Sequence, residues 1–214
     1  MPSSSIWQIQ KTEAHVLTRF GTVCNEALDG AMRIDAVIFD GDGVITNNQV
    51  LEGLDVKPKW RSHYDGQGIS LLRAIGIRVC FITNEEGISA AALASMVERW
   101  NSLPSTINEN NPNGWSRVDL YTGRGGVNKV TSAEEWLSAN SLWWANCAVM
   151  GDDLVDVPML RQAGLRVAPA SAEYVIQDMA HFISRRIAGA GAIRDFANFV
   201  LHVRKIDPTT LPTQ

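Results

Sequence analysis

The chain has 214 residues, 45% of them hydrophobic, with 19 Lys+Arg against 23 Asp+Glu and a formal net charge of −4. That size suits one domain with an N-terminal extension, and the composition is that of an ordinary soluble globular protein. The acidic balance gives no reason to expect nucleic acid or an anionic membrane surface as partner, and no stretch approaches the roughly 18 apolar residues of a membrane span.

The start, MPSSSIWQIQKTEAHVLTRF, lacks a basic region followed by an apolar core and does not read as a secretory signal. Residues 5–31 carry Ile6, Ile9, Val16, Leu17, Phe20, Val23 and Leu28, which predicts one or two amphipathic helices. Residues 1–33 are therefore expected to form a helical extension packed on the domain. From residue 34 the pattern changes. IDAVIFD (34–40), IRVCFIT (77–83), VDLYT (118–122), CAVMGDD (147–153), LRVAP (165–169) and HFISRR (181–186) read as strands. They are too continuously apolar to have a wet face, so both faces should be covered. GISLLRAIG, ISAAALASMVERW, TSAEEWLSANS and VDVPMLRQAG between them, and AIRDFANFVLHVRKI (192–206) at the end, have helical spacing. Alternation of this kind predicts an α/β, Rossmann-like doubly wound parallel sheet with helices on both faces over 34–206. Residues 101–117, rich in Asn, Pro and Ser, read as a loop without core character, and 207–214 as a disordered tail. Cys24, Cys80 and Cys147 are odd in number and widely spaced. They read as reduced thiols of a cytoplasmic protein, with no disulfide framework or zinc knuckle. His15, His63, His181 and His202 are scattered without zinc-ligand spacing.

Ligands of an open parallel sheet bind beyond the carboxyl ends of its strands. The first predicted strand ends in Asp40 and Asp42, the second in Thr83 and Asn84, and Lys129 opens a helix after the third. The fourth delivers Asp152, Asp153 and, one turn later, Asp156. So many acids at one rim repel one another unless a cation is present, and oxygen ligands favour Mg²⁺. A calcium-binding loop starting at Asp40 would need a ligand, Gly and Glu where Val44, Ile45 and Leu51 stand, so that reading fails. An acidic turn is the plain alternative for Asp40 and Asp42 alone, and the second acid cluster weighs against it.

The series FDGDGVIT, FITN, NKV and GDDLVD resembles the signature of the haloacid dehalogenase superfamily of phosphotransferases. More narrowly, FDGDGVITN, YDGQGISLLRAIGIRVCFIT, GDDLVDVPMLRQAGLRVAPASA and RRIAGAGAIRDFANFVL are similar to successive blocks of the sugar-acid phosphatases. That family includes 3-deoxy-manno-octulosonate 8-phosphate phosphatases, nonulosonate 9-phosphate phosphatases and the C-terminal domain of animal sialate cytidylyltransferases. The resemblance implies a Mg²⁺-dependent phosphatase with Asp40 as nucleophile and Asp42 as general acid and base. Asp40, the Asp42 carbonyl and Asp152 would hold the metal. Thr83 and Lys129, with Asn84 beside them, would bind phosphoryl oxygens. Asp153 and Asp156 are outer ligands or orienting groups, with Asp156 equally readable as a helix-side partner. No inserted cap domain fits the spacings; residues 47–64 leave room for a small β-hairpin. The resemblance implies a homotetramer in which a neighbour covers each site. The chain departs from the family in having Asn84, Glu85 and Glu86 where Gly-Arg often follows the Thr, and Ala190 where an Arg often precedes Gly-Ala. Three other readings compete. One keeps the fold and changes the outcome: phosphoryl transfer onto another acceptor, a dehalogenase-like reaction, or hydrolysis of another phosphorylated small metabolite. Asp42 argues for phosphate chemistry, because an alkoxide leaving group needs an acid and a halide does not. A signalling receiver domain would place its acidic pair before the phosphorylated Asp and lacks a Gly-Asp-Asp motif after the Lys. A non-catalytic assembly module would be marked by loss of the nucleophile or its acid partner, and both are present.

Overall fold

The computed structural model describes residues 15–51 and 58–212. The expectations for residues 5–14, for the middle of the segment 47–64 and for the last two residues fall outside that range. The described ends of that segment, 47–51 and 58–62, contain no strand and 63–64 open a helix, so the expected β-hairpin is not seen there. The first described element corrects the helical extension. His15–Thr18 (β1) and Gly21–Cys24 (β2) form an antiparallel hairpin, and only Asn25–Arg33 (α1) is helical. Helix-like apolar spacing loses here to Thr18, Thr22 and Val23, which are stiff in a helix, and to Gly21 at φ +97°. The Thr18 hydroxyl closes the turn, donating to the Gly21 carbonyl at 3.0 Å and accepting the Phe20 N–H at 3.0 Å.

Ala36–Phe39 (β3), Arg78–Ile82 (β4), Val118–Tyr121 (β5), Cys147–Met150 (β6), Leu165–Ala168 (β7) and Phe182–Ile183 (β8) make one six-stranded sheet. Its order is β5-β4-β3-β6-β7-β8 and every pairing is parallel, as the alternation of strands and helices predicts. Strand residues alternate between two cores. Val37, Phe39, Val79, Phe81, Ala148 and Met150 face one side, with helices α1, His63–Ala74 (α2), Gly87–Asn101 (α3) and Ala192–Val203 (α7). Ala36, Ile38, Cys80, Ile82, Cys147 and Val149 face the other, with Val127–Ala139 (α4), Val157–Gln162 (α5) and Tyr174–Met179 (α6). Both faces are dry, which is why these strands read as continuous apolar runs. The three cysteines are all buried.

Three local details bear on the expectations. Helix α2 starts at His63, earlier than its apolar spacing indicates, because the Ser62 hydroxyl accepts the Tyr64 N–H at 3.1 Å as an N-cap. The 101–117 loop has a polar core after all. Buried Arg73 donates to the carbonyls of Ser116 (2.8 Å) and Trp100 (3.3 Å) and to the Thr106 hydroxyl (2.7 Å), under the Trp115 ring. The expected disordered tail contains a 3-10 turn at Pro208–Thr210, capped by Asp207, whose carboxylate accepts the Thr209 N–H at 2.9 Å.

The α2–α7 contact carries a buried carboxylate. Gly68 lets the helices approach so closely that a Cβ there would lie 2.8 Å from the Arg194 Cα. One turn earlier, Asp65 accepts N–H bonds from Gly191 (3.0 Å), Ile193 (2.9 Å) and Arg194 (3.3 Å), capping α7 from another helix. Burial raises its pKa to about 6, outweighing those N–H bonds and the nearby Arg186. A folded-state pKa above the ordinary 3.8 means that this group's share of stability is complete below about pH 4 and lost as pH rises through about 6. Asp65→Ala should cost about 1–3 kcal/mol, a fall in Tm of roughly 2–10 °C, because three N–H groups lose their acceptor. Asp65→Asn, which does not titrate, should show a smaller drop in Tm than the parent between about pH 4 and about pH 7. Thermal unfolding at both pH values tests this, and parallel Tm changes in the two proteins would refute it.

Candidate active site

The chain runs from β3 outward to β4 and β5, then returns through α4 to place β6 on the other side of β3. The switch point of the sheet therefore lies between β3 and β6, where a crevice opens at the strands' carboxyl ends. Phe39 pairs with Met150, so the two strands finish level and deliver Asp40 and Asp152 side by side. The Asp40 N–H donates to the Met150 carbonyl at 3.0 Å, extending the ladder by one bond. The loop after Asp40 turns at once. Its carboxylate accepts the Gly41 N–H at 2.7 Å, and the Gly41 carbonyl takes the Ile45 N–H at 3.0 Å. Gly43 sits at φ +77°, and a Cβ there would lie 1.8 Å from Asp152 Oδ2, so only glycine fits between the two acidic loops.

Carboxylate oxygens of Asp40, Asp152 and Asp156 lie within 4.8 Å of one another. Lys129 reaches this cluster from the first turn of α4, its Nζ 2.7 Å from Asp40 Oδ1 and 2.6 Å from Asp156 Oδ1. Lys129 and Asp156 are completely buried, and Asp40 and Asp152 are 6% and 5% exposed. Burial and the charge of Asp156 raise the Asp40 pKa to about 7, although Lys129 and the Gly41 N–H pull the other way. Burial and the charges of Asp40, Asp156 and Asp153 raise Asp152 to about 8. For Lys129, burial works against the ammonium, but Asp40 and Asp156 outweigh it and hold its pKa above the ordinary value.

Asp156 is fully engaged. Oδ1 binds Lys129, and Oδ2 accepts the backbone N–H of Asp152 (3.0 Å) and of Asp153 (3.4 Å). It thus orients the lysine and the loop that carries Asp152 while remaining within the three-carboxylate cluster. Asp153 turns its carboxylate to the Leu154 N–H at 2.6 Å and caps a short 3-10 turn. It stays outside the three-carboxylate cluster.

The Asp42 side chain, three residues beyond the strand, points elsewhere. Its Oδ1 accepts the Thr46 hydroxyl at 2.6 Å, and its Oδ2 is bound by the Lys59 ammonium. Thr83 follows β4 directly, with its hydroxyl beside the Gly41 loop; a Cβ at Gly41 would sit 3.0 Å from that oxygen. Asn84 is exposed and lies against the Gly125–Gly126 turn that leads into Lys129. Lys59 and Asn48, whose amide donates to Asp152 Oδ2 at 3.3 Å, have no signal in the sequence. Both come from the segment after the first motif, whose ends are joined by the Asn47 N–H and the Trp60 carbonyl at 3.0 Å.

The donor set fits a hard divalent cation. All donors are oxygens, three carboxylates face one ammonium, and the two raised pKa values mark charge that the protein alone leaves undercompensated.

Buried aspartates at the switch point of an open parallel sheet, with one buried lysine, suit phosphoryl chemistry, and comparison with known proteins places the chain in the class of phosphoric monoester hydrolases. Residues 32–194 match the family model of the haloacid dehalogenase-like hydrolases. The chain belongs to that family and, within it, to the sugar-acid phosphatases that its relatives represent. The 3-deoxy-D-manno-octulosonate 8-phosphate phosphatase of Yersinia pestis is 30% identical over 190 residues, 88% of this chain and 90% of that protein. The enzyme of the same name from Escherichia coli K12 is 28% identical over 195 residues, 90% of this chain and 93% of that one. The crystal structure of the Yersinia pestis phosphatase superposes with a TM-score of 0.75 at 27% identity, covering 94% of this chain and 98% of that one. The Moraxella catarrhalis phosphatase, solved with magnesium, phosphate and KDO, shares the fold at a TM-score of 0.70 and 20% identity, over 84% of this chain and 92% of that one. Among the described residues, no helix is long and apolar enough to cross a membrane.

Proposed function

We propose that the protein is a Mg²⁺-dependent phosphatase of a small phosphorylated sugar acid, of the 3-deoxy-manno-octulosonate 8-phosphate or nonulosonate 9-phosphate kind, working through an aspartyl phosphate. The observation that carries this reading is the convergence of Asp40, Asp152 and Lys129 at the switch point. The substrates named for the Yersinia and Escherichia relatives support the choice of substrate. Asp40, the Asp42 carbonyl and Asp152 would hold the metal, which supplies positive charge between nucleophile and phosphate.

The chain's own groups account for the rest. Asp40 attacks phosphorus, forming an acyl phosphate, the aspartyl phosphate, while the bond from phosphorus to the sugar oxygen breaks. In its protonated form, turned from Thr46 and Lys59 toward the leaving oxygen, Asp42 gives its proton to that oxygen, so the sugar leaves as a neutral alcohol. It then takes a proton from a water that attacks the phosphorus, releasing phosphate and restoring the Asp40 carboxylate. Thr83 and Lys129 bind the phosphoryl oxygens, and Lys129 balances the charge gathering on them. In its resting state Lys129 neutralises the nucleophile; an entering phosphate offers it new oxygen partners.

Purified protein should release phosphate from an aryl phosphate and from an ulosonate phosphate, stop when EDTA removes divalent ions, and resume with Mg²⁺. Turnover undiminished by EDTA after exhaustive dialysis would refute the metal-dependent reading. We also propose the homotetramer, in which a neighbour's segment around Trp60 and Ile187, both more than half exposed, shields the site from water. Light scattering should give four times the 23.5 kDa chain mass; a stable monomer at micromolar concentration would contradict it.

A further inference from the structure

The chemistry above leaves a large cavity unused. It encloses ≈ 630 Å³ between the turn of the β1–β2 hairpin, the outer face of α7 and the 3-10 turn that follows that helix. Its volume is that of a small-molecule site. It shares no lining residue with the crevice of Asp40, Asp152 and Lys129.

The charge in this cavity is one-sided. Arg19, Arg194 and Lys205 line it, and none of them enters an ion pair among the described residues. Asp207, the acid of the lining, is already occupied: its carboxylate accepts the N–H of Thr209 at 2.9 Å and the Thr209 hydroxyl at 2.8 Å. Arg194, half-buried in the first turn of α7, spends its Nε on Asn198 Oδ1 at 3.1 Å. Burial and the like charge of Arg186 lower its pKa, so an anion beside it relieves a cost that the protein itself leaves standing. Arg185 Nη1 donates to the Arg19 carbonyl at 3.2 Å and ties the hairpin turn to the segment leading into α7. Lys205 lies past the other end of the helix, roughly 15 Å further along the axis, so one phosphate cannot meet both Arg194 and Lys205.

Between the cations the lining is aromatic and apolar. The Phe20 ring lies 5.6 Å from the exposed imidazole of His202, centroid to centroid, and Ile206 and Pro208 continue the wall. A sugar phosphate would set hydroxyls against that wall, and an apolar molecule would leave three cations unanswered. A phosphate joined to a flat heterocycle answers both. Its ring stacks on the aromatic pair, its phosphate takes charge-assisted bonds from the arginines, and Lys205 donates to an oxygen or nitrogen on the ring edge.

We infer that this cavity is a second ligand site, for a nucleoside monophosphate. Arg19 and Arg194 hold the phosphate, and the base lies along Phe20 and His202 toward Lys205. The site goes beyond the phosphatase reading and stands or falls without it.

Isothermal titration in EDTA-containing buffer, where metal-dependent hydrolysis is silent, tests this with AMP and CMP as probes. At least one of them should bind saturably with a Kd below about 1 mM. Inorganic phosphate, ribose 5-phosphate and the matching nucleoside each carry only part of the recognition and should bind roughly tenfold more weakly or worse. Arg194→Gln should raise the nucleotide Kd by roughly fivefold or more. Arg19→Glu, an exposed position where folding is not at risk, should do the same, and Lys205→Glu should have a smaller effect. Asp40→Asn should bind the nucleotide as the parent does, which separates this cavity from the active site. Three results would overturn the inference: no saturable binding of either nucleotide, inorganic phosphate binding as tightly as the nucleotide (an adventitious ion only), or an affinity that Arg19→Glu and Arg194→Gln both leave unmoved.

Discussion

Asp40→Asn should abolish phosphate release, by roughly 10⁴-fold or more, while the protein stays folded. The amide oxygen can still accept the Gly41 N–H, and Lys129 keeps its bond to Asp156, so the loop and the lysine lose little support. What disappears is the carboxylate that attacks phosphorus. In metal-free buffer, the variant should unfold at the parent's temperature or slightly above it. One of the charges that burial and its neighbours hold at a raised pKa has been removed. Single-turnover assays with an ulosonate phosphate and thermal unfolding separate the two effects. Residual turnover within tenfold of the parent would assign the attack to another group, and a large loss of Tm would mean that Asp40 is structural.

Lys129→Met should produce the opposite combination, with both stability and rate falling. Methionine fills a similar volume, but Asp40 and Asp156 then face each other, completely or almost completely buried, with no cation between them. Removing one member of a buried ion pair costs about 3–5 kcal/mol, so Tm should drop by roughly 6 °C or more in metal-free buffer. A divalent ion replaces part of the missing charge, and Mg²⁺ should therefore raise the Tm of Lys129→Met by more than it raises the parent's. It does not replace the ammonium on the phosphoryl oxygens, and kcat should remain down by roughly 10²–10³-fold. A variant with Tm within a degree or two of the parent and kcat within tenfold would show that Lys129 is neither the counter-charge nor a phosphate ligand.

The sheet was legible because each of its central strands is buried on both faces. IDAVIFD, IRVCFIT and CAVMGDD have no polar alternation to confuse with a helix, and Asp40, Thr83 and Asp152 terminate them where the apolar run stops. Lys129 and Asp156 were legible as members of a series. Their mutual bond was not, since it joins residues in α4 and in the turn before α5 through a bend that no spacing encodes. The N-terminal hairpin was misread because Val16, Phe20 and Val23 fit a helical face as well as a strand, and tertiary contacts decide such cases. Phe20 sits 5.7 Å from Phe199 and 6.3 Å from Phe182, ring centroid to centroid. The short helix Tyr174–Met179 went unseen because six residues give too little periodicity. Lys59 was invisible for a different reason. A lysine in KPKWR reads as solvated, and only the return of the chain to the Asn47 N–H brings it against Asp42.

The placement of β6 has a consequence for how the molecule is made. Ala36 pairs with Cys147, roughly 110 residues downstream, so a ribosome releases the β3-β4-β5 half of the sheet long before its inner neighbour exists. Until then the central strand, Ala36–Phe39, is an open edge of unsatisfied peptide groups, the kind of template that recruits another chain. The same delay keeps Asp40 without Asp152 or Asp156 during synthesis. Catalytic competence is thus among the last properties the nascent polypeptide acquires, and a truncation before Cys147 should yield an aggregating fragment in place of a slow enzyme.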